Sequence, residues 1–342
     1  MKSNRFLWEY IRRASFYGSA AGIFAFLLSA SLVVFTPPAD CGTKDWPAKT
    51  IAMIVPWPPG GPTDLSARTM APKLSSMFGV PIQVVNKPGG SGIIGTLEAV
   101  KSPPDGYTLF VDCGGTSSIQ YAWSKDLPYK VEERTYIARF IQTQYFLIVP
   151  ASSPFKTVED LVNAIRTNPS NISFALIGGT GTPDVNIAKF RAALMAKGVD
   201  VSKTRPITYK GTGEVLVAIA GGHVSFSFAT PSTSQPLIAA GKIRAIAATG
   251  NERYKYQPHV PTMIEAGFPS VDLVYWTGLC GPSGLPANIV KILDNAVKEA
   301  LGNPDVIVQL DKVGFLPFYL SGTAFRKFVL DEGDTIKALK LK

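Results

Sequence analysis

Ile54-Val-Pro-Trp-Pro-Pro-Gly-Gly-Pro-Thr-Asp-Leu-Ser-Ala-Arg68 passes from an apolar run through a Pro/Gly turn into a helical pattern. Two glycines and a further proline stand directly before Thr63 and Asp64, a composition that brings bare backbone amides to the start of a helix. Unpaired N–H groups and the positive end of the helix dipole meet at such a point. A carboxylate or phosphate is therefore favoured there without any Lys or Arg in contact. A second loop of the same kind, Gly178-Gly-Thr-Gly-Thr182, follows the apolar run Ile172 to Ile177. Two such loops facing one cleft would clamp an anion from both sides.

Outward from these loops the chain alternates between short apolar runs and amphipathic ones, separated by Gly, Pro, Ser and Thr. Strands are predicted at 51–56, 82–86, 107–113, 146–150, 172–177, 207–209, 224–229, 243–248 and 274–278. Helices are predicted between them at 64–78, 93–101, 158–167, 184–197 and 214–220, and three more close the chain at 286–301, 305–313 and 324–341. In the first of those three, Ile289, Ile292, Leu293, Ala296 and Val297 form one apolar stripe between Pro286 and Gly302. The βα alternation implies an α/β protein with mostly parallel sheets flanked by helices. Phe146-Leu-Ile-Val-Pro-Ala151 and Val274-Tyr-Trp-Thr-Gly-Leu-Cys-Gly-Pro282 read as two crossings between lobes. Lobe 1 is then 47–146 with 276–342, and lobe 2 is 147–275.

The composition excludes several function classes. With 342 residues, 46% apolar and 17% charged, the chain is long enough for two packed lobes. Its two histidines, His223 and His259, have no metal-like spacing with the cysteines, so neither a metal site nor a His-based triad is expected, and no cofactor motif is present. A formal charge of +9 suits acidic small ligands. The basic residues are scattered without the aromatic-interleaved patch of a nucleic-acid binder. At the amino terminus Lys2, Arg5, Arg12 and Arg13 precede the uncharged stretch 18–35, so residues 1–41 read as a signal peptide or a retained N-terminal anchor and the protein as periplasmic. Cys113 and Cys280 each close an apolar strand and are expected to be buried rather than paired.

The ordered blocks Val55-Pro-Trp-Pro-Pro-Gly-Gly-Pro-Thr-Asp64, Asn86-Lys-Pro-Gly-Gly-Ser-Gly-Ile-Ile-Gly95, Pro104-Asp-Gly-Tyr-Thr-Leu109, Tyr209-Lys-Gly211, Val260-Pro-Thr262 with Glu265-Ala-Gly267, and Trp276-Thr-Gly-Leu279 with Gly281-Pro282 resemble the substrate-binding proteins of tripartite tricarboxylate transporters, the Bug receptor family. The likeness runs from Trp46 to the C-terminal helix. It implies a two-lobed, type II-like periplasmic-binding-protein fold with the ligand between the lobes. It also implies a non-catalytic, monomeric receptor that carries a small carboxylate to membrane transporter subunits. Gly60, Gly61 and Thr63, with the neighbouring Pro56 and Trp57, match the family's first carboxylate-holding loop, and Gly179, Thr180 and Thr182 match the loop that answers it. Thr116 and Ser117 match a pocket-edge segment rich in small hydroxyls. Phe228-Ala-Thr-Pro231 stands where family members often carry an Asp, which argues against an amino-acid ligand. Trp57 replaces a commoner Phe and offers a larger stacking surface.

Single residues also admit plainer roles. Asp64 reads as a first-turn residue complementing the helix dipole, and Asn86 as the pin of a turn lining the cleft. Tyr209 and Lys210 close over the ligand or merely face solvent, and Thr230 and Ser232 are pocket donors or helix starters. Backbone and hydroxyl donors suffice in principle: four hydrogen bonds to one carboxylate offer roughly 6–12 kcal/mol before closure costs, against about 8 kcal/mol for micromolar affinity. An exported enzyme acting on an anion, or a ligand sensor for a membrane partner, are the alternatives; the first needs a nucleophile or base beside the loops, and the sequence offers none.

Overall fold

The computed structural model describes residues 46–339. The expected leader, 1–41, lies outside them, and no helix among the described residues is long and apolar enough to cross a membrane.

β1 (Ile51–Val55) is buried almost throughout and leads into α1 (Pro62–Phe78), which starts on Pro62 and stops at Gly79 in a left-handed conformation (φ 67°). β2 (Ile82–Asn86), α2 (Ile93–Val100), β3 (Thr108–Cys113) and the short α3 (Ser118–Trp123) follow. β4 (Thr135–Thr143) and β5 (Phe146–Pro150) are separated by only two residues, then come α4 (Val158–Thr167), β6 (Ser173–Ile177), α5 (Thr182–Ala196), β7 (Arg205–Tyr209), α6 (Thr212–Ala220), β8 (Ser227–Ala229), α7 (Pro231–Ala239) and β9 (Ile243–Ala248). β10 (Tyr275–Gly281), α8 (Ala287–Leu301), α9 (Pro304–Lys312), β11 (Leu316–Ser321) and α10 (Gly322–Ala338) complete the chain. The stripe anticipated on α8 is its packed face, with Ile289, Leu293, Ala296 and Val297 buried.

The strands form a six-stranded sheet in the order β11-β4-β10-β3-β1-β2, and two smaller sheets, β8-β5-β9 and β6-β7. The large sheet therefore draws its strands from both ends of the chain, while the smaller sheets hold the strands between. β1 pairs in parallel with β2 and β3, and β6 with β7, as the βα alternation predicts. The sheets are nonetheless mixed rather than mostly parallel. β10 runs antiparallel to β3 and β4, β11 antiparallel to β4, and β5 antiparallel to both β8 and β9. A chain that leaves one sheet through a two-residue link and later returns lays its departing and returning strands side by side in opposite directions.

β4, β11, α3 and α7 carry no clear sequence signal. In β4 the polar Arg139 breaks the apolar run, yet it is buried beneath the rings of Phe318 and Phe328, each 4.4 Å from the guanidinium, and burial pulls its pKa down to about 10. β11 is a half-exposed edge strand containing Pro317, and α7 contains Pro236 in its interior. Beneath the large sheet, Arg134 and Asp112 form an ion pair (3.0 Å) with both side chains fully buried. Desolvation works against the guanidinium's charge, but the neighbouring Asp112 carboxylate outweighs it and pushes the Arg134 pKa up. Cys113 and Cys280 are free and buried.

Gly278 in β10 lies where a side chain has no room: a Cβ there would stand 2.3 Å from Phe325 Cε1 and 2.8 Å from the backbone oxygen of Ala138. Because one obstacle is backbone of the adjacent strand, repacking cannot relieve it. Gly278→Ala is expected to lower stability by about 1–3 kcal/mol or more, read as a fall in the urea midpoint.

Candidate functional site

Two loops of opposite sheets are built by the same device. After β1 the chain turns through Gly60 (φ 77°), and the Asp64 carboxylate, third residue of α1, accepts the Gly60 N–H (2.9 Å), Asn86 Nδ2 (2.9 Å) and Arg68 Nε (2.9 Å). Asn86 also donates to the Trp57 carbonyl (3.1 Å), so it pins this loop from the end of β2. After β6 the chain turns through Gly178 and Gly179, both at positive φ, and Asp184, third residue of α5, accepts the N–H of Ile177 (2.7 Å) and of Gly181 (3.0 Å). In each loop an acidic residue in the first helical turn takes up the amides that shape the turn and complements the dipole. Burial by itself would raise the Asp64 pKa, but the bonds from Arg68, Gly60 and Asn86 outweigh it and hold the carboxyl below its ordinary value.

Between these loops lies a cavity of about 590 Å³ counting its open mouth. One side consists of Trp57, Pro58, Pro59, Gly61, Pro62 and Thr63, with Cys113 and Gly115 beside them. The other consists of Ile177, Gly181, Thr182 and Pro183, the start of α6 at Gly211-Thr212-Gly213, and Phe228-Ala229-Thr230 ahead of α7. Four helices, α1, α5, α6 and α7, thus begin at its wall. Tyr145 and Tyr275 complete the lining from the links at the start of β5 and β10. No Lys, Arg, His, Asp or Glu lines it.

The lining side chains are already engaged with one another. Trp57 Nε1 donates to Cys113 Sγ (3.2 Å). The Tyr275 hydroxyl donates to Thr63 Oγ1 (2.9 Å), and the buried Tyr145 ring packs edge to face on Tyr275, 6.0 Å away. Burial pushes both phenols well above their ordinary pKa, and burial with the nearby Asp112 charge pushes the Cys113 thiol up as well. Every one of these groups is neutral at physiological pH, and Cys113 is a thiol rather than a nucleophilic thiolate.

The two halves touch across the cavity. Ser91 Oγ, on a residue held at φ 55°, donates to the Gly178 carbonyl (2.7 Å), and Gln120 Nε2 donates to the Ser91 carbonyl (2.9 Å). A Cβ on Gly115 would stand 2.8 Å from Trp57 Cζ2 and 3.2 Å from the Thr180 oxygen, so only glycine allows this approach.

Of the residues singled out in the sequence, Trp57, Gly61, Thr63, Thr182 and Thr230 line the cavity. Pro56, Gly60, Gly179 and Thr180 belong to the two loops but are not among the residues that line the cavity. Thr116 and Ser117 are fully buried behind the Cys113–Gly115 wall. Their hydroxyls both donate to Asp112, Thr116 at 2.7 Å, while Arg134 Nη1 donates to Asp112 and to Ser117 Oγ (3.0 Å each). They brace the wall rather than face the cavity. Tyr209 faces a surface hollow beside Val217 and His223, and its carbonyl accepts the Gly178 N–H (3.1 Å). Tyr145, Tyr275, Thr212, Gly213 and Pro183 join the lining without having been anticipated. Among the described residues no group of His, Cys, Asp and Glu could hold a metal ion.

An α/β architecture with a cleft between helix N-termini drawn from different sheets is that of the periplasmic-binding-protein fold. The sequence profile of the tripartite tricarboxylate transporter family receptor matches residues 66–341, and the chain belongs to that family. Protein BugT of Bordetella pertussis is 29% identical over 298 residues, covering 86% of this chain and 89% of BugT. Among solved structures, MatC from Rhodopseudomonas palustris with bound malate aligns with a TM-score of 0.80 at 27% identity, covering 87% of this chain and 100% of MatC. An R. palustris protein with adipate aligns with a TM-score of 0.80 at 28% identity, covering 86% of this chain and 97% of its own.

The depressed Asp64 pKa makes a sign-specific prediction. The carboxylate's contribution is fully present above the ordinary carboxylate pKa of about 4 and is lost as the pH falls through its lower folded value. Asp64→Asn is expected to cost about 1–2 kcal/mol at pH 7, and the gap to the unmodified protein should close as the pH drops below about 4, followed by urea unfolding across pH.

Proposed function

We propose that this chain is an extracytoplasmic receptor that closes on a small carboxylate between the α1 and α5 loops and delivers it to a membrane transporter of the tripartite tricarboxylate type. The observation that carries the reading is the opposition of two Asp-pinned helix starts, each presenting a threonine hydroxyl, across a cavity whose lining has no charged side chain. Amide and hydroxyl donors, together with the positive helix ends, favour an anion there. The prolines, Trp57 and Phe228 suit an apolar ligand body. The malate and adipate held by the two R. palustris relatives are small carboxylates of this kind.

In this reading the protein acts as an exported monomer. Lobe 1 is residues 47–146 with 276–342, lobe 2 is 147–275, and the links at 144–145 and 272–275 are the hinge. Binding favours the closed form because only there do both loops reach the same carboxylate. Contacts such as Ser91 to Gly178 belong to that form. The enzymatic alternative lacks support: the cavity has no histidine and no carboxylate pair, and its one thiol is held protonated.

Ligand-free protein, prepared by refolding from denaturant, is expected to rise in Tm with at least one mono-, di- or tricarboxylic or aromatic acid. A broad acid panel without any shift would exclude the reading. Thr63→Ala combined with Thr182→Ala should weaken the best acid by about 2–4 kcal/mol, on the order of 30- to 1000-fold, with circular dichroism unchanged.

A further inference from the structure

Thr63 does not stand alone in the cavity wall. Tyr275, the first residue of β10, donates its hydroxyl proton to Thr63 Oγ1 at 2.9 Å. A hydroxyl that accepts a phenolic proton keeps its own proton for another partner, and Thr63 faces the cavity. Tyr145, the residue before β5, packs against Tyr275: both phenols are buried, and their rings meet edge to face, 6.0 Å apart at 86°. Phe315 stacks on the Tyr275 ring from another side at 6.3 Å. The Tyr275 ring is thus held between two aromatic neighbours with its hydroxyl on Thr63.

We propose that Tyr275 is a positioning residue that holds the Thr63 hydroxyl as a donor into the cavity, so that this end selects a carboxylate over the corresponding neutral amide. The inference rests on the reading of Thr63 and Thr182 as the carboxylate-holding pair. A carboxylate only accepts, and every donor around it is satisfied. A primary amide presents two N–H donors to groups that are themselves set to donate, leaving buried protons unpaired. Without the Tyr275 phenol Thr63 can rotate and accept, and the selectivity for charge and acceptor pattern falls. Because Tyr275 opens β10, where the chain returns to the large sheet, the residue at that return also fixes the polarity of the site.

The test uses refolded, ligand-free, 15N-labelled full chain, titrated with acetate and adipate and with acetamide and adipamide, following the backbone signals of Thr63 and Thr182. The unmodified protein should bind the acids better than the amides. Tyr275→Phe, with Tyr275→Met as a second variant should the first fail to fold, should weaken the acids about 5- to 10-fold and narrow the acid-to-amide ratio by a similar factor. In a Thr63→Val background the same Tyr275 change should alter affinity less than about 2-fold. Equal losses in both backgrounds, or an unchanged acid-to-amide ratio, overturn the positioning role while leaving the site reading intact. No response of either signal to acetate or adipate in the unmodified protein overturns the site reading, and this inference with it.

Discussion

The site depends on backbone amides at the first turns of α1 and α5 being held in place without being used up. Each turn has N–H groups that the helix cannot satisfy, and in each the aspartate at the third helical position takes amides of the loop ahead of the helix, Gly60 in one and Ile177 and Gly181 in the other, rather than those of the first turn. Asp64 is itself anchored by Arg68 and Asn86, which ties the first loop to β2. The acidic side chains sit behind the loops, so their charge stabilises the helix starts instead of occupying the cavity. A positively polarised surface is thereby obtained with no cation in the lining.

That surface is shaped by a second layer of buried polar contacts. Asp112 gathers Thr116, Ser117 and Arg134 beneath the Cys113–Gly115 wall, at a depth where an unpaired charge would be strongly destabilising. The wall then approaches Trp57 and Thr180 so closely that its outer residue is glycine. Trp57 in turn spends its indole N–H on Cys113, which leaves its ring as an apolar face for a ligand. Two tyrosines close the set, and Tyr275 bonds Thr63. Rigidity of this kind suits a receptor, because donors already in position lose little freedom when the ligand arrives.

The α/β class, most of the strands and helices, and the two glycine-rich helix starts were legible in the sequence because each rests on local chemistry. Periodicity marks buried faces, Pro and Gly mark turns, and Pro-Thr-Asp or Thr-Pro-Asp after glycines marks a helix start. β4 escaped because Arg139 breaks its apolar run, and its burial becomes intelligible only once Phe318 and Phe328, from the far end of the chain, cover it. Strand direction escaped for a similar reason: β4 and β10 are adjacent only because the chain departs from the large sheet and returns to it.

The sequence by itself determined that two glycine-rich turns would each open a helix and that Asp64 would serve its own helix start. Those are properties of neighbouring residues. Tertiary structure alone decided which side chains meet across the cavity. Thr116 and Ser117, small hydroxyls beside a strand end, turned inward to a buried carboxylate, whereas Tyr145 and Tyr275, inconspicuous in apolar stretches, reached the cavity and Tyr275 reached Thr63. The partner of a hydroxyl separated from it by dozens or hundreds of residues is set by how sheets pack, and no local pattern encodes that distance.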